Sequence, residues 1–352
     1  MTTLADAITS PPTSPSNIPI ARIGRFYVTR ELGRGTLGCV YLAHDPVVGR
    51  DIAIKTFNPR LTPAEKSKYQ HQFINEARAA GCLSHPHIVT IHDASSEGGT
   101  AYIAMEYLQG RELHKMLASG HRFKPDEAAS IAWKIADALH HAHCKEVVHR
   151  DIKPANIFMV KEDQPKLIDF GIARAPNRTA ERPASAEEPY TMFHPNSLLG
   201  TPNYMSPEQA LGKPVDARTD IYSLGAVMYE MLVGRTPFRS DSASKLLQQI
   251  AYKAPPAPHE ADPKIPLALS HIVMRAMSKR PEKRYQDAEQ MALDIKRYLL
   301  KQRRAHQHMQ VALAPLTQQE GRNLPARLRR LRWIAALALI ATAAIASTGL
   351  LR

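Results

Sequence analysis

Three stretches of the chain carry residue types that could do chemistry together. The first, Leu32-Gly33-Arg34-Gly35-Thr36-Leu37-Gly38-Cys39-Val40, holds a GxGxxGxV spacing. Glycines let backbone N–H groups approach phosphate closely, but a Gly-rich hairpin turn or a dinucleotide fingerprint uses the same letters. In the dinucleotide fingerprint a helix begins within the glycines. Here Cys39-Val40-Tyr41-Leu42 continues as a strand-like run, so the glycines are expected between two strands. The second stretch ends in Lys55, twenty-two residues past Gly33, after Ile52-Ala53-Ile54. One strand over from a phosphate-covering loop, its ammonium can reach phosphate oxygens as a point charge. Such a Lys needs a carboxylate to hold it, and Glu76 on a following helix is the candidate. The third is His149-Arg150-Asp151-Ile152-Lys153-Pro154-Ala155-Asn156, with Asp169-Phe170-Gly171 thirteen residues beyond Asn156.

These groups need elements to position them. Short apolar runs at Phe26-Tyr27-Val28, Val40-Tyr41-Leu42 and Ile52-Ala53-Ile54, broken by Gly-rich or Pro-Val-Val-Gly turns, predict strands between Arg25 and about Phe57. Thr62, Pro63 and Glu65 form a capping box that starts a helix running to about Leu83. Two further strand-like runs, Ile88 to His92 and Tyr102 to Tyr107, follow. Beyond them Ile131, Ile135, Leu139 and Ala142 recur at helical spacing, and Ile221 to Leu232 is apolar nearly all round, the mark of a buried helix. Strands thus dominate the first hundred residues and helices the rest, which predicts a small sheet lobe on a larger helical lobe.

The 352 residues, 44% of them hydrophobic and 22% charged, suffice for a sizeable core and exclude a mainly disordered chain. Cys39, Cys82 and Cys144 are odd in number and widely spaced, which suits a reducing compartment and not a disulfide framework. The net charge of +13 is a tail property, because nine basic residues stand against Glu320 from Lys301 onward. Residues 1–22 form a Ser/Thr/Pro-rich leader without the pattern of a secretory signal. Residues 301–332 read as a polar and basic linker, with Arg327, Arg329, Arg330 and Arg332 ahead of nineteen uncharged residues, Trp333 to Leu351. As a helix that span is roughly 28 Å long, about one hydrocarbon core. A buried core helix has similar composition, but the one-sided Arg cluster and the interfacial Trp favour a transmembrane helix. The positive-inside rule then gives a single-pass protein of the cell (inner) membrane with residues 23–300 in the cytoplasm.

The ordered set of Gly-rich loop, strand Lys, helix Glu, His-Arg-Asp loop with its Asn, and Asp-Phe-Gly resembles the protein kinase superfamily. Within it, the set resembles the eukaryotic-like (Hanks-type) serine/threonine kinases of bacteria. The resemblance covers about Phe26 to Leu300 and implies an α+β, two-lobed protein-kinase fold, with a small β-rich lobe carrying one helix and a larger helical lobe. It also implies ATP with Mg²⁺ or Mn²⁺, hard cations suited to oxygen ligands. By resemblance, Asp151 orients the substrate hydroxyl and accepts its proton, and Lys153 reaches the transferring γ-phosphoryl. Asn156 and Asp169 hold the metal. The nucleotide site takes in Leu32, Gly33, Arg34, Gly35, Thr36, Leu37, Gly38, Cys39, Val40, Ala53, Lys55 and Glu76, with Met105, Glu106 and Leu108 forming the interlobe hinge. Lys153 in Asp-x-Lys-Pro-x-Asn and Thr201 in Gly200-Thr201-Pro202 select Ser/Thr over Tyr. Ser206-Pro207-Glu208 departs from the family's more usual Ala-Pro-Glu.

The resemblance further implies a structural pair of Glu208 with Arg284, and an Asp220 that holds the catalytic loop. Arg150 before Asp151 implies switching by phosphorylation of the loop between Asp169 and Glu208, where Thr179, Ser185, Thr191 and Ser197 offer hydroxyls. Partners are then protein substrates with Ser or Thr, the membrane through the C-terminal helix, and a second copy in a homodimer for trans-autophosphorylation, but no nucleic acid. An inactive membrane-anchored scaffold is the alternative, disfavoured by intact Lys55, Glu76, Asp151, Asn156 and Asp169. His140, His141, His143 and Cys144 invite a metal reading, but they end the periodic helix just before the catalytic loop, where a structural role is expected.

Overall fold

The computed structural model describes residues 21–34, 38–57, 73–74, 77–78, 80–96, 101–161, 163–169 and 202–317. Strands β1 (Ala21–Ile23), β2 (Phe26–Arg34), β3 (Gly38–Asp45), β4 (Arg50–Phe57), β5 (Ile91–Ser95) and β6 (Tyr102–Glu106) form one antiparallel sheet in the order β1-β2-β3-β4-β6-β5. Period-two alternation sorts its side chains. Phe26, Val28, Ala43, Ile52, Ile54, Tyr102 and Ala104 pack on one face, with Phe26 edge-on to Tyr102 at 5.7 Å between ring centroids. Ala53, Ile103 and Met105 fall on the other face, against Phe73 and Ala77 of a helical segment. Lys55, two residues beyond Ala53 on the same strand, shares that second face.

The helical lobe contains α1 (Leu113–Ala118), α2 (Pro125–His143), α3 (Pro207–Ala210), α4 (Arg218–Val233), α5 (Ala243–Tyr252), α6 (Pro258–Ala261) and α7 (Leu267–Ala276). A small sheet of β7 (Arg111–Glu112), β8 (Ile157–Lys161) and β9 (Gln164–Leu167) lies within it. Helix α4 is buried from Thr219 through Tyr229, as its apolar composition predicts. Gly225 lets it approach α7, since a Cβ there would lie 2.9 Å from the Ala276 Cβ.

The structure adds to the sequence reading at three places. The strand expected from Ile88 begins at Ile91, because Ile88 is taken by a parallel bridge to Leu167 of β9. Strands β8 and β9 are too short for periodicity to announce. The stretch expected as linker from Lys301 continues helix α8 (Ala288–Thr317). Two compact units divide between Ala292 and Leu293, and both lobes belong to the first. Among the described residues no helix is long and apolar enough to cross a membrane; Trp333 to Leu351 lies outside them.

The helical lobe is fastened by the expected pair of Glu208 and Arg284. Two 2.7 Å bonds join the guanidinium to the two carboxylate oxygens. The remaining Arg284 donors go to the carbonyls of Ser278, Arg218 and Lys279, so all five N–H groups of a side chain only 1% exposed are satisfied. Burial pushes the Glu208 carboxyl up in pKa, and the Arg284 charge outweighs it and holds the group below its ordinary range. Removing one partner strands the other. Glu208→Ala is expected to cost about 3–5 kcal/mol, read as a lower urea midpoint at unchanged slope.

Candidate functional site

The hairpin β2–β3 carries the Gly-rich stretch, as expected, with Gly33 opposite Val40 and Arg34 opposite Cys39. Gly35, Thr36 and Leu37, between the strands, lie outside the described residues, as does Glu76. Register then fixes the neighbour of the loop: Gly33 pairs with Val40, Val40 with Lys55, and Lys55 with Ile103. Residues on one rung point the same way, so Lys55 stands one strand from Val40 on the face of Ala53. Cys39 alternates onto the opposite face with Ala43 and is buried there, so only its backbone belongs to the loop. Arg34 closes an exposed pair with Glu31 at 2.7 Å.

Lys55 Nζ donates to Asp169 Oδ1 at 2.8 Å. This contact was not anticipated, because no local pattern relates residues 114 positions apart. Burial raises the Asp169 pKa, but the Lys55 charge and hydrogen bond prevail and keep the carboxyl below its usual range. Lys55 and Asp169 form the polar end of a small cavity of about 20 Å³ walled by Ala77, Ala80, Val89, Ile91, Ile103 and Met105. The same apolar cluster includes Leu32, Val40, Ala53, Met105, Leu108 and Ile168, so these members of the expected loop, strand and hinge meet in one cluster. The Glu106 carboxylate is held by Lys166 Nζ at 2.6 Å and by Thr90 N–H at 2.8 Å, which fixes the end of β6 where the chain leaves the sheet.

Asp151, Lys153 and Asn156 converge beside Asp169. Lys153 Nζ lies 2.7 Å from Asp151 Oδ2, and Asn156 Nδ2 donates to Asp151 O and Oδ2 at 2.8 and 3.0 Å. The side-chain nitrogen of Asn156 is thereby committed to Asp151, which leaves the side-chain Oδ1 as the ligand atom. Ile168 N–H donates to Asn156 O at 3.0 Å and brings Asp169 alongside. Leu167 bonds both ways to the segment before β5, through His87 O at 2.8 Å and Val89 N–H at 2.9 Å. Asp169 and Arg150 hold left-handed backbone, with φ of 56° and 65°. Non-Gly residues adopt such angles only where their surroundings over-determine them.

Those surroundings centre on Asp220, fully buried in the first turn of α4. Its carboxylate accepts from His149 N–H at 2.8 Å and Arg150 N–H at 2.7 Å, and its Oδ2 lies 2.9 Å from His143 Nε2. His143 is thus a loop anchor, and among the described residues no His/Cys cluster could hold a metal. The buried His149 accepts Asp151 N–H at Nδ1, which leaves Nε2 to donate to Ile168 O at 3.2 Å. Burial holds that imidazole below its ordinary pKa, consistent with a neutral ring. Ser206, the departure from the usual Ala, caps α3: its Oγ accepts Gln209 N–H, the Gln209 amide returns to Ser206 N–H, and Gln209 Nε2 donates to Arg150 O at 2.8 Å. The Ser-x-x-Gln spacing is a capping-box signal present in the sequence.

Arg150 Nε is buried without a hydrogen-bond partner among the described residues. Burial lowers its pKa, with Asp220 opposing.

The protein kinase domain model matches residues 26–295. The chain is 38% identical to the serine/threonine-protein kinase PrkC of Bacillus subtilis over 273 residues, 78% of this chain and 40% of the relative. It is 37% identical to the serine/threonine-protein kinase PknB of Mycobacterium leprae over 268 residues, 75% of this chain and 41% of the relative. It therefore spans about two fifths of the length of the curated relatives it matches. Among solved structures, the Mycobacterium tuberculosis PknI kinase domain aligns with a TM-score of 0.59 at 25% identity, covering 79% of this chain and 97% of that one.

Asp220→Ala would leave two loop N–H groups and the His143 ring facing a void. A loss of about 3–5 kcal/mol is expected, with faster amide hydrogen exchange at His149 and Arg150 as the local readout.

Proposed function

The chain belongs to the protein kinase family, and from that premise we propose that it transfers the γ-phosphoryl of ATP to Ser or Thr hydroxyls of proteins. The observation that carries this reading is the convergence of Lys55–Asp169 and Asp151–Lys153–Asn156, joined through the bond from Ile168 N–H to Asn156 O. Lys55 is placed to bind the α- and β-phosphates, and the apolar walls of Leu32, Val40, Ala53 and Met105 suit the adenine base. Asp151 orients the attacking hydroxyl and takes its proton, while Lys153 neutralises charge on the transferred group. The side-chain Oδ1 of Asn156 and the Asp169 oxygen not bonded to Lys55 are the hard donors that fit Mg²⁺ or Mn²⁺. When bound, such a cation supplies charge neutralisation across the phosphates. Lys153, in the Asp-x-Lys-Pro-x-Asn pattern, supports Ser/Thr as the acceptor.

Residues 1–22 and 301–332 flank the catalytic body in this reading, and Trp333 to Leu351 tether it to the cell membrane with the catalytic lobes on the cytoplasmic side. The full chain incubated with labelled ATP and Mg²⁺ is expected to label Ser or Thr, and Asp151→Asn to lose about 10³-fold or more of that rate. Folded wild-type chain that binds ATP and labels nothing would sink the reading in favour of an inactive scaffold.

The orphaned Arg150 donor supports regulation by phosphate on Thr179, Ser185, Thr191 or Ser197, whose oxygens would satisfy it. Autophosphorylation, in trans between two copies, is the proposed source. Phosphopeptide mapping should find Ala175 to Ser197 modified in active enzyme, and Arg150→Gln should remove the activation without lowering the unphosphorylated rate. An active enzyme unmodified there overturns this switch.

A further inference from the structure

Helix α8 runs from the first compact unit into the second, which begins at Leu293. From Leu293 to His308 it carries Lys296, Arg297, Lys301, Arg303 and Arg304 against a single acid, Asp294. All five cations are exposed, and so are His306 and His308. Asp294 is committed locally, accepting from Arg297 at 2.8 Å.

The arrangement is ordered. At 3.6 residues per turn, positions seven apart lie nearly on one line. Leu293 and Leu300 are such a pair and stand 43% and 44% exposed, among the few large apolar side chains the described residues leave in water. Lys296 and Arg303, also seven apart, run along one side of this leucine line. Arg297 with Arg304, and Lys301 with His308, run along the other.

We propose that this ridge lies on an anionic phospholipid surface, leucines down and cations at the headgroups. Exposed leucines framed by long cationic side chains match a bilayer interface, where the apolar ridge enters the acyl boundary and the aliphatic stems carry charge up to the phosphates. A polyanion such as duplex DNA would use the cations but leave the leucines wet. The sequence beyond adds a second argument. The stretch Arg327–Arg332 and the uncharged span Trp333 to Leu351 follow Thr317 after a short interval. The fifteen residues between Thr317 and Trp333 reach at most about 50 Å, so an inserted span holds α8 near the bilayer. The proposal rests on the anchor reading to that extent.

The test separates the two. The full chain, with Cys82→Ser and Cys144→Ser and an environment-sensitive fluorophore on Leu300→Cys, is mixed with vesicles of phosphatidylcholine or of equimolar phosphatidylcholine and phosphatidylglycerol. Flotation reports the anchor and emission reports the ridge. The expected result is flotation with both vesicles and a blue shift only with phosphatidylglycerol. In Arg297→Gln/Lys301→Gln/Arg304→Gln, whose helix propensity is unchanged, the ratio of blue-shifted to wet label on phosphatidylglycerol vesicles should fall about a hundredfold. A chain that floats while its label stays wet overturns the ridge and leaves the anchor. A chain that floats and blue-shifts only with phosphatidylglycerol supports the ridge and sinks the anchor. No shift with vesicles, but charge-dependent retention on duplex DNA, would assign the cations to nucleic acid and overturn the proposal.

Discussion

The first turn of α4 is where the structure commits itself. Over three consecutive residues, Arg218 offers its carbonyl to Arg284, Thr219 donates to Glu208 at 2.7 Å, and Asp220 accepts from the loop that carries Asp151. A carboxylate with no exposure is tolerable only while its acceptor sites are filled, and here the fillers are backbone N–H groups of His149 and Arg150 together with His143. Position helps, because a helix N-terminus favours negative charge. The loop cannot leave without abandoning a buried charge. That penalty is what permits Arg150 to stay at φ 65° and so keeps Asp151 beside Lys153 and Asn156.

The second constraint is that β9 serves both lobes. Its Leu167 bonds by main chain to His87 and Val89 beside the sheet, and the next residue, Ile168, bonds to Asn156 in the helical lobe. Asp169 follows at once, so its carboxylate is located relative to Lys55 and Asn156 by backbone hydrogen bonds on both sides. The Lys55–Asp169 pair is then a consequence of strand register on one side and β9 on the other. Neither lobe alone would place it.

This explains what could be read in advance. Local signals placed the strands that flank the glycines and the α4 stretch Ile221 to Leu232, apolar nearly all round, because each depends on residues close in sequence. The pair of Glu208 with Arg284 and the role of Asp220 came with the family pattern. What the sequence did not announce were contacts across long separations: Lys55 with Asp169, Lys166 with Glu106, and His143 with Asp220. Ile88 misled for a related reason, since an apolar residue beside a strand can be claimed by a different sheet partner. The role of Cys39 was obscured by alternation, which turns its side chain away from the cleft while Val40 faces it.

The site's charges are already matched before any nucleotide enters. Lys55 faces Asp169 at 2.8 Å and Lys153 faces Asp151 at 2.7 Å, each pair partly screened from water. Phosphates arriving in this cleft would bind beside two carboxylates as well as two ammonium groups, and in a partly desolvated site the repulsion is not small. The cleft alone is therefore a poor polyanion site, despite its lysines. In the proposed reaction the balance is restored only by a divalent cation arriving with the phosphates, at the oxygens of Asn156 and Asp169 that the protein leaves for it. Paired charges thus make nucleotide and metal binding depend on each other. The tail is different, since from Leu293 to His308 five exposed cations outnumber the single acid Asp294, an excess that needs no co-ligand to attract an anionic surface.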